Sequence, residues 1–380
     1  MPVPRLSPRI ALVQFQPKIG QVQANVARAR ELCRGWVLLL PLVPGVENAG
    51  IAPRSVDLVC LPEMAFSGYV FPSAAAILPF LEPPRTGPTA LFCADLARRL
   101  QCYVVAGFPE RLGAAEAEAY RVESAETGRE GREGREVVGA NSAVLYGPAG
   151  EGRRVSEDEP VRDGRDVGHA RCGVSFAPHI PTSPGKLNLT PRMIGTGFAT
   201  FALPPPLRTV SLGICMDLNT QAPTWTRADG PYELAEYCVE RKTRVLVLLN
   251  AWLDSGERGE EARDAQTLGF WAARLRPLWG RDTPAETNSE GEEDEDADAE
   301  EDAPEPNSKP NPDSELDSDS DGGHETLVVV CNRGGTENGK TFAGSSGVFR
   351  MRRGQGGSGI LRAALGREDE DVLVWDSAAL

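Results

Sequence analysis

The chain has 380 residues, 41% apolar and 25% charged, with 40 Gly and 31 Pro. That composition excludes a wholly disordered or fibrous chain, and no run approaches the roughly 18 uninterrupted apolar residues that a membrane-spanning helix needs. The net charge of −15 is local: residues 281–325 hold 19 acidic side chains against Arg281 and Lys309, a balance of −17 that leaves the other 335 residues at +2. A nearly neutral body offers no basic surface for phosphates, so nucleic acid is not expected as a partner.

From the N-terminus, Met1-Pro2-Val3-Pro4 leads straight into strand-like sequence without an apolar leader core, which predicts no secretory signal and a cytoplasmic protein. Apolar segments at 10–15, 56–61, 102–106, 142–145, 209–215, 245–249 and 326–331 read as short strands. The unbroken apolar runs at 245–249 and 328–330 suit strands covered on both faces. Helical periods fall between them at 22–34, 231–242 and 262–276. Another starts at Thr86, a candidate cap, with Pro88 in its first turn and Leu91, Phe92, Leu96 and Leu100 on one face. This alternation predicts an α/β fold.

Three stretches break the pattern. Residues 111–139 repeat Gly-Arg-Glu three times without apolar periodicity, and 150–185 are rich in Gly, Pro, Arg and Asp. Both are expected to be loops. The acidic tract 281–325 cannot bury enough apolar surface to offset its ordering entropy. Because strand sequence resumes after it, it is expected to be a disordered insertion within one domain spanning 8–380.

The chemistry-bearing residues gather at strand ends, where open α/β sheets bind their ligands. Glu63 follows a strand in Leu61-Pro62-Glu63-Met64, and Cys215 ends one in Gly213-Ile214-Cys215-Met216-Asp217. Lys186 is one of five lysines beside 35 arginines, in Pro184-Gly185-Lys186-Leu187. Together they supply a base, a nucleophile and a cation, the inventory of thiol-based acyl transfer. Taken singly, a Glu after a strand is usually solvated, a strand Cys is a small core hydrophobe and a Lys is surface decoration. His169, His179 and His324 all lie in irregular sequence, so no Cys-His pairing is indicated. Eight Cys with no Cys-x-x-Cys pair point to free thiols, with Cys33, Cys60, Cys93, Cys102, Cys238 and Cys331 read as core or near-core groups and no metal expected. No Gly-rich phosphate loop follows the first strand, which disfavours a nucleotide-dependent oxidoreductase.

Four motifs in order, Leu61-Pro62-Glu63, Lys186-Leu187-Asn188-Leu189, Gly213-Ile214-Cys215-Met216-Asp217 and Asn332-Arg333-Gly334-Gly335, resemble the carbon–nitrogen hydrolase (nitrilase) superfamily over about residues 10–374. The stretches 62–69, 213–219, 248–253 and 342–346 more narrowly resemble its fungal protein N-terminal amidase branch. The superfamily places Arg before its lysine, where this chain has Gly185. The resemblance implies an αββα sandwich of two central mixed sheets flanked by helices, with no cofactor. It implies Cys215 as nucleophile, Glu63 as proton acceptor and Lys186 as proton donor and oxyanion partner. The branch implies deamidation of N-terminal Asn and Gln in peptides and proteins, releasing ammonia. Binding a free α-amine then calls for a carboxylate; Asp217 and Asp254 follow strands and are the candidates, with Trp252 as a packing wall. Asp217 as a plain turn cap is the competing reading. Arg333 reads as a structural residue pairing a carboxylate. Two further readings stay open: a small-molecule ω-amidase, carbamoylase or nitrilase, and a catalytically silent interaction protein that keeps the fold and docks through its acidic loop.

Overall fold

The computed structural model describes residues 7–34, 51–114, 139–149, 169–172, 198–219, 230–257, 262–280, 324–354, 359–376 and 378. Two six-stranded sheets form its centre. In the first, the spatial order is β14 (Asp371–Asp376), β1 (Arg9–Gln14), β2 (Leu58–Cys60), β3 (Tyr103–Glu110), β4 (Ala140–Tyr146) and β5 (His169–Cys172). In the second it is β13 (Ile360–Ala364), β12 (Gly347–Arg352), β9 (Glu325–Asn332), β8 (Val245–Asn250), β7 (Thr209–Ile214) and β6 (Ala199–Ala202). Each sheet has three parallel strands at its heart, β1-β2-β3 and β7-β8-β9, with antiparallel strands outside them. A small hairpin of β10 (Thr336–Glu337) and β11 (Lys340–Thr341) leaves the end of β9.

Alternation along β8 and β9 shows why their sequences are apolar throughout. Val245, Val247, Leu249, Val329 and Cys331 belong to the core shared with the first sheet. Leu246, Leu248, Val328 and Val330 face the other way, packing with Leu234 and Cys238 of α4 (Glu233–Glu240) and Leu268 and Trp271 of α5 (Ala265–Arg274). Helices α1 (Val22–Arg34) and α3 (Pro88–Leu100) contribute Val26, Ala29, Phe92, Leu96 and Leu100 to the first core, and a short α2 (Ala74–Ile77) lies between them in the chain. The molecule is an αββα sandwich of two mixed sheets, as the resemblance implied.

The seven expected strands all form, and the helix at 22–34 matches to the residue. Three local expectations are corrected. The α3 cap residue is Gly87, not Thr86, because the buried Glu82 carboxylate reaches the free end of the helix and accepts from Thr89 N and Oγ1 at 2.8 and 2.9 Å. Leu91 is 59% exposed; the buried stripe runs through Phe92, Cys93, Leu96 and Leu100, one position round from Leu91. Within the expected loop 150–185, His169–Cys172 forms β5 and pairs with β4. The rest of that loop's core (150–168 and 173–185), residues 115–138 and 281–323 lie outside the described residues, as does Lys186. The thiols of Cys33, Cys60, Cys93, Cys102, Cys238 and Cys331 are free and buried, as expected. Among the described residues no helix is long and apolar enough to cross a membrane.

Candidate active site

The carboxyl ends of β2, β7, β8 and β9 converge, and each carries a polar residue into the same region. Leaving β2, the chain passes through Leu61-Pro62 to Glu63, whose side chain is 1% exposed. Its backbone lies against β3: a Cβ on Gly107 would sit 2.7 Å from the Glu63 Cα, so only glycine permits this approach. The following residue, Met64, holds φ at 49°.

Cys215 stands where β7 turns into a single 3-10 turn, Cys215–Leu218, with φ of 39°. A β-carbon-bearing residue in that region costs roughly 1–3 kcal/mol and persists only when its surroundings enforce it. Asp217 supplies part of the enforcement, its Oδ2 accepting from Ile214 N at 2.7 Å. Cys215 is 4% exposed.

The two sheets therefore deliver a carboxyl and a thiol to one point. The Cys215 thiol lies beside the Glu63 carboxylate, close enough that each acts on the ionisation of the other. Glu63 Oε2 accepts from Ala251 N at 2.7 Å, and Oε1 from Asn141 Nδ2 at 2.5 Å. The Ala251 N–H also lies near enough to the Cys215 sulfur to favour its ionisation, so one backbone amide at the end of β8 addresses both groups. Burial pushes the Glu63 carboxyl up to about 7, against the pull of Asn141, Cys215 and Ala251 beside it. Burial, and then the Glu63 charge, push the Cys215 thiol well above its ordinary range. A carboxyl that titrates near neutrality beside a thiol that resists ionisation is a base–nucleophile pair at rest, with the proton still on sulfur.

The other expected residues fall as follows. Asp217 is 8% exposed and faces the pair closely enough to raise both groups. Trp252 N donates to Asn332 Oδ1 at 2.8 Å, and its ring packs on Phe270 and Trp271 of α5 at 5.3 and 6.4 Å. The Asp254 carboxylate is paired with Arg367 at 2.5 Å. Arg333 pairs a carboxylate as expected: it is fully buried, donates to Glu337 Oε1 at 2.8 Å and lies 4.1 Å over the Phe342 ring.

Residues 9–151 match the family model for carbon–nitrogen hydrolases. The chain is 24% identical to the protein N-terminal amidase of Schizosaccharomyces pombe over 97% of this chain and 99% of that one. A protein N-terminal amidase of Saccharomyces cerevisiae is 23% identical over 69% of this chain and 48% of its own length. A crystal structure of N-terminal amidase superposes with a TM-score of 0.61 at 17% identity, covering 98% of this chain and 97% of that one. A CN-hydrolase superfamily protein from Xanthomonas campestris superposes at 0.52 with 16% identity, covering 98% and 92%. These two share the fold of this chain.

Sequence reasoning passed over Asn141 and the Ala251 N–H, which hold Glu63 in place, and gave Asn332 no role beyond its motif. Asn141 and Asn332 are 3% and 0% exposed. An amide buried in an apolar strand was the available signal, since such a group needs a specific partner. The Ala251 N–H left no signal, because a backbone amide is independent of side-chain identity.

Proposed function

We propose that this chain is a carbon–nitrogen hydrolase that deamidates N-terminal Asn and Gln of peptides and proteins, leaving Asp and Glu and releasing ammonia. The observation that carries the reading is the buried Glu63 carboxyl beside the buried Cys215 thiol in a chain aligned end to end with a protein N-terminal amidase. Structural neighbours bound to Gln-Val and Asn-Glu peptides support this substrate class.

In this reading Glu63 takes the thiol proton as sulfur attacks the side-chain amide carbon. A tetrahedral oxyanion forms, and Glu63 returns the proton to the departing nitrogen, which leaves as ammonia. The C–N bond is replaced by a thioester. Glu63 then removes a proton from water, whose oxygen attacks the thioester, and the second collapse regenerates the thiol and frees the carboxylic acid. Lys186 and the Met216 N–H are assigned to the oxyanion, where one donor is typically worth about 3–4 kcal/mol of barrier. Asp217, Trp252 and Asp254 remain the assigned substrate-side groups. Of the two carboxylates, Asp254 is paired with Arg367.

The test is ammonia release from three short peptides, bearing N-terminal Asn, N-acetylated Asn or C-terminal Asn. Release from the first alone supports the proposal. Equal release from all three points to a small-amide hydrolase, and release from none, with the Cys215 thiol intact by mass, points to a silent protein.

A further inference from the structure

Asn141 sits where stability alone would place an apolar residue. It is the second residue of β4, held on one side by β3 (opposite Pro109) and on the other by β5 (opposite Cys172), and its side chain is 3% exposed. Its Nδ2 donates to Glu63 Oε1 at 2.5 Å, whereas its Oδ1 is buried with no partner among the described residues. Leaving such an acceptor unmet is destabilising, and Leu in this place would avoid that loss. The position is therefore not explained by packing.

What the amide does is visible at the carboxylate. Glu63 has two oxygens. Oε2 is claimed by Ala251 N, a donor that cannot turn away, and Oε1 by Asn141. With both ends tied, the carboxyl plane cannot rotate about its last bond, and its remaining lone pairs are left to the Cys215 thiol. We propose that Asn141 is the positioning residue of the general base, fixing the Glu63 carboxyl plane against Cys215 and favouring the ionised form that can accept the thiol proton. The assignment rests on Glu63 serving as that base.

The charges around Glu63 make a neutral donor here consequential. Asp217, from the 3-10 turn after β7, opposes a negative Glu63. Arg333, from the turn after β9, favours it from a distance while committed to Glu337. Cys215 and Ala251 also favour it, and Asn141 is the strongest of the three groups that offset burial. Removing it leaves desolvation and Asp217 less opposed, so Glu63 holds its proton to higher pH.

The experiment follows two rates against pH in the full-length wild type, N141A and N141D. One is alkylation of Cys215 by iodoacetamide, located by peptide mass; the other is ammonia release from an Asn-starting peptide. The wild-type acid limb should lie near Glu63's value of about 7. In N141A it should move up by about one pH unit, a roughly tenfold greater loss at pH 6 than at pH 9. N141D, isosteric but with a second carboxylate against the first, should move it further. If N141A and N141D lose the same factor at every pH, with the limb unmoved, Asn141 is only a packing element and the proposal fails. Should N141A not fold, Asn141→Ser takes its place beside N141D. Alkylation needs no substrate, so a wild type that turns over no peptide overturns the amidase reading while the alkylation limb still decides Asn141.

Discussion

The most exacting test of the site's scaffold is the buried Arg333–Glu337 pair, whose side chains are 1% and 4% exposed. Glu337 Oε1 accepts from Arg333 Nη2 at 2.8 Å, and Oε2 accepts from Tyr69 N and Val70 N at 2.9 and 3.0 Å. Arg333 Nη2 also donates to the Pro17 carbonyl at 2.7 Å. One ion pair thus ties together the loop after β1, the loop that carries Glu63 and the turn after β9. E337Q keeps the shape and one acceptor but leaves the guanidinium uncompensated in the interior, where losing one partner typically costs about 3–5 kcal/mol. R333M leaves the carboxylate with two backbone donors and should cost about 2–3 kcal/mol. The double variant removes both charges, so it should cost less than the sum of the singles by about 2 kcal/mol. Urea unfolding of the four proteins, followed by tryptophan fluorescence and far-UV dichroism, measures the cycle. Coupling below about 0.5 kcal/mol would mean that the pair is two independent residues, and the reasoning would be wrong.

Other variants probe the same physics elsewhere. Burial raises Glu82 to about 7, whereas an exposed Glu titrates near 4.5. The folded chain therefore holds this proton longer than the unfolded chain, and stability falls as pH rises through that window. E82Q retains an acceptor for Thr89 N, so it should match wild type near pH 4 and exceed it by up to about 3 kcal/mol at pH 8, read as melting temperature against pH. No gain at pH 8 would show that Glu82 is ionised in the folded protein without penalty. G107A places a methyl 2.7 Å from the Glu63 Cα and 3.1 Å from Met64 N. It should cost about 1–3 kcal/mol of stability and, by displacing the base, cut ammonia release roughly a hundredfold; an intact rate would show that the strand yields instead. E63Q should abolish ammonia release, since it removes the base, while raising the melting temperature at pH 8, since it removes a buried charge whose folded value also lies near 7. Ammonia release at the wild-type rate in that variant would show that Glu63 is not the base.

How far the sequence could be read depended on what each element buries. The central strands are apolar on both faces, so β1, β8 and β9 stand out as uninterrupted runs. Edge strands do not: Asp371–Asp376 and Ile360–Ala364 are only half-buried, and their mixed composition resembles loop sequence. Leu91 was misplaced because a 3.6-residue period tolerates a stripe drawn one residue wide of the mark, and only contact with Cys93 and Leu96 settles which face is inward. At the site, Glu63 and Cys215 were legible because a reactive side chain at a strand's carboxyl end is itself informative. Asn141 was not, since the strand was expected to begin at Ser142 and its amide speaks only through the carboxylate it touches.

The pair also explains why the fold needs two sheets. Glu63 rides on β2 of the first and Cys215 on β7 of the second, so no local segment contains the site and its geometry is set by how the sheets pack. That packing is secured close by. The Cys331 thiol, in the second sheet, reaches the Cys60 carbonyl at 3.3 Å, three residues before Glu63. Gln14 of β1 accepts from Ser346 N at 2.8 Å, and Ser346 Oγ in turn accepts from Asn332 N at 2.9 Å. Asn332 then holds the backbone of Trp252, the residue after the amide that faces both Glu63 and Cys215. A chain of buried hydrogen bonds thus runs from the first sheet through the second to the Ala251 N–H. The links through Gln14, Ser346 and Asn332 N are buried and the last, to Trp252 N, is part-buried, so displacement at any one is transmitted rather than absorbed.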